Sequence, residues 1–490
     1  MYRSRYHIFI FCACVVFVFS ACAPEGQQMY DRIAELQEEG QFARAETLIK
    51  DLLKSNADLN PAEKRTLEFE LERNRRVRND YGLGEQELFD NLNRRLNDLT
   101  REEFDEWLEE KRFDELMIDG EKRFVNPSVS NLFFRFPELR KRQKNYSRES
   151  RQAKMALAQA RELKSISKPG GDPVRLPRRC LVNQSIKLKE GFVPAGETVR
   201  CWLPYPVVCS TQGDVQLLTT QPEFIWITHP TSTIRSVYME DVVPDMGRLQ
   251  FRIAYYYTAY AYYQQVDPDK VSAFDKTEPE YIIYTKEEYP HEVFTPELVS
   301  LSAQITQGEA NPYEKGKRIY EWIADNIKYS YAREYSTLRN ISVYCLDNKF
   351  GDCGQEAILF ITLCRIAGVP ARWQSGFFMF PGDEGMHDWT EIYIKPYGWI
   401  PVDPYMGIFF TSMTEDLTAE EREEMRDFYY GNIDHYRLVV NKGHNQNLYP
   451  PKEHFRSETV DFQRGEIEWS QKNLYFTDWN WSIDVEDSGI

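Results

Sequence analysis

Three short segments, in fixed order, constrain this chain more than any other feature of its 490 residues. They are Gly351-Asp-Cys353-Gly-Gln-Glu-Ala357, then His387-Asp-Trp-Thr-Glu-Ile-Tyr393, then Gly398-Trp-Ile-Pro-Val-Asp403-Pro404. Asp352 suits the N-cap of a helix, and Gln355 stands three residues on, where it reaches back across the first turn. Ala357, Phe360, Ile361 and Cys364 then fall on one face, and Gly368 with Pro370 closes the helix. Cys353 is thereby placed at the first helical position. Unpaired backbone N–H groups and the positive end of the helix dipole favour a thiolate there and can hold an oxyanion. Cys364 lies mid-helix on the apolar face and reads as structural, as does Cys345.

A nucleophilic thiol needs a base. Of seven histidines, His387 has the clearest strand context, because 387, 389, 391 and 393 alternate with 388, 390, 392 and 394. A turn over Lys395–Gly398 folds the segment back, with His387 and Asp403 equidistant from its centre and of the same parity. Both side chains then share a face, opposite one another to within a residue or two. A carboxylate so placed orients the imidazole and stabilises its cation. Pro401, which cannot donate to a ladder, requires an edge strand or a bulge. A lone histidine is usually not catalytic, and an aspartate before proline is commonly a turn residue; it is the ordered combination that points to nucleophilic catalysis.

These segments, with Arg365-Ile-Ala-Gly-Val-Pro-Ala-Arg372 and Gly376-Phe377, resemble the transglutaminase-like superfamily over roughly residues 300–410. The resemblance implies an α+β class with a papain-like, transglutaminase-like core and a triad of Cys353 as nucleophile, His387 as general base and acid, and Asp403 as orienter. It implies acyl transfer from a peptide or protein amide through a thioester, with no cofactor and no metal. Tyr344 is a candidate second oxyanion donor upstream of the cysteine. The chain lacks recognisable calcium-loop acidic spacing and the extra C-terminal β domains of the animal crosslinking enzymes, so hydrolysis is expected over crosslinking. The alternative is a non-catalytic binding or scaffold lipoprotein of the same fold, with a peptide or glycan as ligand.

Upstream, Arg3 and Arg5 precede an apolar run from Ile8 to Phe19 that is too short to span a bilayer. Ser20-Ala21-Cys22 follows, so residues 1–22 read as a secretory signal with Cys22 as a bacterial lipidation site. The expected location is the cell envelope, anchored by lipid to a membrane, with the outer membrane preferred. Residues 23–168 read as a helical region with a break at Glu39-Gly40, a proline-opened helix at Asn60-Pro61, helical pattern from Glu85 to Leu116 with a capping box at Thr100-Arg-Glu-Glu103, and another helix from Lys141 to Lys164. Five Gly and Pro residues between Ser165 and Pro177 mark a linker, after which the period changes to two. Residues 178–266 read as a β-sandwich. Its run Tyr255–Tyr263 reads as a packed strand before a sugar platform.

Residues 290–485 read as the catalytic domain, with strands at 436–441, 458–462 and 465–469 closing it. The six cysteines from Cys180 onward show no Cys-x-x-Cys spacing, which argues against zinc, and read as free thiols. A net charge of −17 with no large basic tract excludes a nucleic-acid partner.

Overall fold

The structure, a computed structural model, describes residues 25–488 except 56–58, 148, 169 and 247. The expected signal segment and Cys22 lie outside the described residues. The protein is α+β and forms two compact units, one of residues up to 74 with 116–122, the other of the remaining residues.

The smaller unit is built on α1 (Glu25–Glu38), α2 (Phe42–Ser55) and the first part of α3 (Pro61–Asp80). Ile33, Ile49 and Leu67 close its core. The α1–α2 break falls at Gly40, as its sequence suggests, and Asn60 caps α3 by accepting from the N–H groups of Ala62 and Glu63.

The larger unit continues with α4 (Glu85–Arg95), α5 (Arg101–Glu109), the hairpin strands β1 (Glu115–Ile118) and β2 (Glu121–Phe124), α6 (Ser128–Arg135) and α7 (Arg151–Ile166). Residues 116–122 of the hairpin belong to the smaller unit, so that only Glu115, Arg123 and Phe124 of its strands belong to the larger one. Within the stretch read as helical over 85–116, Thr100 caps α5 as its sequence suggests by accepting from Glu103 N, though the Glu103 carboxylate pairs with Arg142, and the stretch ends as strand from Glu115. The helix expected from Lys141 starts only at Arg151, where Ser150 supplies the cap, and a 3₁₀ turn over Pro137–Arg142 precedes it.

Two sheets then pack face to face. Their strands are β3 (Val174–Leu188), β4 (Thr198–Pro204), β5 (Gln212–Gln221), β6 (Trp226–Ile227), β7 (Ser236–Val242) and β8 (Gln250–Tyr263), with β15 (Glu466–Trp469), β16 (Lys472–Leu474) and β17 (Trp479–Asp487) from the C-terminal region. One sheet has the order β16-β15-β4-β7-β6 and the other β17-β3-β8-β5. Val182, Ile186, Cys201, Leu203, Phe251 and Tyr255 fill the space between them. Tyr255, Tyr257 and Tyr262 of the tyrosine run are buried and serve packing. The strand expected at 465–469 does form, but it adds to this sandwich instead of closing the core, and residues 458–462 are irregular. Trp479 is buried here, and Trp481 lies against Phe377.

The third sheet carries the three sequence segments. It has the order β13-β12-β11-β14, from β11 (Ala371–Phe380), β12 (Asp383–Ile394), β13 (Gly398–Val402) and β14 (Arg437–Asn441). Helix α8 (Pro279–Tyr284) lies in the segment leading to it. Around it stand α9 (Pro296–Ile305), α10 (Pro312–Asn326), α11 (Ile341–Asn348), α12 (Cys353–Ile366), α13 (Pro404–Ser412) and α14 (Ala419–Phe428). A short parallel pair, β9 (Lys328–Tyr329) with β10 (Phe350–Gly351), delivers the chain to the start of α12.

Helix α12 is buried on all sides from Gly354 to Arg365, not on one face. Ile358, Leu359 and Leu363 supply the second apolar face, so α12 is the central helix of its core. β12 likewise lacks the half-exposed alternation of a surface strand: positions 387–392 are all buried, because the sheet is covered on both sides. Phe377 and Met379 of β11 and Leu438 and Val440 of β14 pack into the sandwich core.

Candidate active site

The hairpin of β12 and β13 pairs Thr390 with Val402 and Glu391 with Pro401, and β13 is an edge strand, which accommodates the proline. Continued one step, this register sets Asp403 level with Trp389, two residues from His387 and on the same side of the strand. His387 Nε2 and Asp403 Oδ2 are 2.8 Å apart, with both residues buried. Asp403 also caps α13, its Oδ1 accepting from Met406 N at 3.1 Å.

Arg437, from β14, completes this side of the site. Its Nη1 donates to Asp403 Oδ2 at 2.6 Å, and its Nε and Nη2 donate to Asp434. Burial alone would raise the Asp403 carboxyl, but His387 and Arg437 together hold it below its ordinary value. Burial pushes the imidazole of His387 down, and Asp403 only partly opposes this. The resting pair is therefore a neutral imidazole beside a carboxylate whose charge is matched by the guanidinium. With Nε2–H donating to Asp403, the lone pair sits on Nδ1. The ring is clamped by Phe378, stacked at 3.7 Å between centroids, by Trp389 at 5.7 Å and by the edge of Tyr405 at 5.3 Å.

Cys353 opens α12 under the cap of Asp352, whose Oδ1 accepts from Gln355 N at 3.1 Å. The reciprocal half of the expected capping box does not form, and the Gln355 amide is buried without a hydrogen-bond partner. Asp352 instead takes the hydroxyl of Tyr335 at 2.6 Å. The thiol is half-buried and packs with the cluster that contains Phe378 and Tyr405, the rings that hold His387. Its side-chain hydrogen bond is to Asp388 Oδ2 at 3.7 Å, not to His387. Burial first, then the carboxyls of Asp388 and Asp352, hold the thiol well above its ordinary value. The helix start does not outweigh them, contrary to the thiolate expected there.

Tyr344 does not join this group. Its hydroxyl donates to Asp114 at 2.8 Å, and Arg333 lies over its ring. The aromatic groups that do surround the thiol are Tyr329 and Tyr405, packed with it, and Tyr335, whose hydroxyl crowds Gly354 so closely that a side chain there would collide with it. Cys345 and Cys364 are buried free thiols, and the other described cysteines are free as well.

The remaining motif residues have structural tasks. Arg372 bridges to Glu391 at 2.6 Å and lies 3.9 Å over the Trp399 ring. Arg365, at the far end of α12 from Cys353, pairs with Glu292 at 2.7 Å and Glu288 at 3.3 Å. Glu288, Glu292 and His444 have the donor types of a cation site, with one ligand atom each inside 4.8 Å of the others. Arg365 already engages both carboxylates, and the carboxylates lift His444 toward its charged form against the effect of burial. The pairing of Arg365 with Glu292 and Glu288 ties residues 288–292 to α12. A cavity of about 560 Å³ in the sandwich, lined by Leu188, Val193, Val243 and Leu249 among others, takes no residue of the candidate site.

Residues 299–404 match the model of the transglutaminase-like superfamily, so this stretch carries a transglutaminase-like core. Uncharacterized protein YebA of Bacillus subtilis is 24% identical over 152 residues, covering 27% of this chain and 20% of YebA. An uncharacterized Haemophilus influenzae protein is 23% identical over 184 residues, covering 31% of this chain and 47% of its own. The chain thus spans less than half of the curated relatives it matches. Among solved structures, a candidate cysteine protease from Cytophaga hutchinsonii is similar at 14% identity and a TM-score of 0.42, over 65% of this chain and 94% of that one. The periplasmic domain of TgpA from Pseudomonas aeruginosa is similar at 15% identity and a TM-score of 0.26, over 48% and 92%. Among the described residues no helix is long and apolar enough to cross a membrane.

Proposed function

We propose that this protein is a cysteine acyl-transfer enzyme that opens peptide or protein amide bonds, with Cys353 as nucleophile, His387 as base and acid, and Asp403 as orienter. The observation that carries this reading is the buried 2.8 Å bond between His387 Nε2 and Asp403, beside a thiol at the start of a capped helix. Nδ1 takes the thiol proton as sulfur attacks the amide carbonyl. The first-turn N–H groups of α12 face the oxygen on which charge develops. Collapse of the tetrahedral intermediate breaks the C–N bond, and the imidazolium returns its proton to the departing amine. Water, deprotonated at Nδ1, then cleaves the thioester and frees the carboxylic acid. Transfer to an amine would use the same intermediate; hydrolysis is preferred because no dedicated amine subsite is visible in the sequence.

The reading extends to location: an envelope protein held to a membrane by lipid on Cys22. Replacing Cys22 with Ser should move the protein from the membrane to the soluble fraction, and retention on the membrane would sink the anchor. The rival reading, a binding or scaffold protein of the same fold, is favoured by one observation: the thiol rests on Asp388 and not on His387. Profiling amide cleavage in peptide mixtures separates the two. Cys353→Ala should lower turnover by roughly 10⁴–10⁶-fold, whereas a scaffold would show no Cys353-dependent product.

A further inference from the structure

Asp388 immediately follows the candidate base, yet its side chain faces the nucleophile. Its Oδ2 lies 3.7 Å from Cys353 Sγ, and its Oδ1 accepts from Gln463 Nε2 at 3.0 Å. Gln463 is itself fixed, donating to the backbone oxygens of Gly376 and His387 at 3.0 and 3.2 Å. Space on the other side is closed, because a Cβ on Gly354 would stand 2.7 Å from Asp388 Oδ2. The carboxyl is thus held against the sulfur by a buried frame.

The groups that face Asp388 are acidic or neutral. Asp352 approaches from the start of α12, Ser375 from β11, and Glu458 and Asp461 from the segment before β15. The cation in this quarter, Arg464, is engaged by Glu458 at 2.7 Å and Glu334 at 3.4 Å. Two groups that both become anionic, so close and so dry, cannot ionise together without a large penalty.

We propose that Asp388 is a positioning residue for the nucleophile, its carboxyl accepting from the Cys353 S–H so that the resting sulfur is a thiol and yields its proton only when it turns away to His387. This rests on the triad reading above. The exchange is balanced: the S–H proton hydrogen-bonded toward Asp388 leaves to His387 Nδ1, the sulfur becomes the attacking anion, and Asp388 keeps its own protonation state throughout. Burial and the neighbouring acids, which hold both groups above their ordinary values, agree with this arrangement.

The test is the pH dependence of Cys353 alkylation by iodoacetamide, followed by peptide mass spectrometry on the folded full-length protein. Asp388→Asn keeps the shape and removes the acid. Its alkylation midpoint should move to lower pH, with the rate at about pH 9 rising about tenfold or more. Ultraviolet titration of the thiolate should shift in the same direction. Gln463→Leu, which frees the carboxyl without removing it, should give a smaller shift of the same sign. A profile for Asp388→Asn that overlays the wild type overturns the inference, as does a shift to higher pH. The triad reading is judged separately. If His387→Ala leaves Cys353 alkylation unchanged, that reading falls, whatever Asp388→Asn does.

Discussion

Two buried aspartates lie on either side of His387, and their surroundings differ in one respect. Asp403 faces a guanidinium, that of Arg437, which Asp434 holds in turn. Asp388 faces a thiol and a set of further acids. The same side chain, equally dry, is therefore held anionic at one position and pushed toward its protonated form at the other. Burial does not decide the charge of a carboxylate; the presence of a matched cation does. The anionic member suits the imidazole, which needs a fixed acceptor, and the other suits a sulfur that must keep its proton at rest.

The sharpest way to break the contrast is to neutralise the anionic member. Asp403→Asn should lower kcat by about 10⁴-fold by favouring the wrong imidazole tautomer, while leaving KM for a peptide substrate nearly unchanged; steady-state kinetics would show it. Removing the cation instead, with Arg437→Met, strands two buried carboxylates. The expected cost is about 3–5 kcal/mol of stability, read from urea unfolding, because one partner of a buried pair is lost.

A third test uses pH. Acids held high in the folded state, such as Asp388, Asp461 and Glu356, with Asp352 and Asp80 pushed up to about 6 and Glu334 to about 7, bind protons more tightly folded than unfolded. Their stabilising effect is present in acid and is lost as pH rises from their unfolded values near 4 through their folded ones. His387 and His435 act in the opposite sense, since burial lowers both and stability falls as pH drops through their unfolded value. Asp403 and Asp434, held low, lose their contribution only below about pH 4. Six acids outweigh two histidines, so the urea midpoint at about pH 5 should exceed that at about pH 8. The reverse order would mean that the high-held acids carry charge at little cost. The smallest effect belongs to Tyr344→Phe. With its hydroxyl spent on Asp114, turnover should change less than about twofold, and the lost bond should cost about 1 kcal/mol of stability.

What the sequence disclosed of this contrast was one half. Turn chemistry and strand parity brought Asp403 to His387, and capping rules put Cys353 at the start of α12; both are local relations within a helix turn or a hairpin. Arg437 belongs to a strand whose partner was unspecified, since its pairing with β11 is a long-range event, although a charged residue opening an otherwise apolar strand was a signal available to be read. Gln463 sits in an irregular segment with no periodicity to place it. Asp388 stood inside the second motif, but parity alone pointed it away from His387, and only the packing of α12 on β12 shows what it meets. The sandwich was recognisable from its period-two strands. Its closure by residues 466–487 was not, because pairing between distant strands leaves no local mark.

That closure bears on how the polypeptide is made. Asn183 Nδ2 donates to Asp484 Oδ2 at 3.1 Å across 301 residues of sequence, and β17 pairs with β3 from Cys180 to Leu188. A nascent chain emerging from a ribosome therefore carries an unfinished sheet edge along β3 until β17 has been made, 301 residues on at the Asn183–Asp484 bond. Gln463, which frames Asp388, is itself made 75 residues after it. A truncation that removes only the final strands should leave a molecule prone to edge-to-edge association. The surroundings of Cys353 are thus incomplete until the segment before β15 has been made.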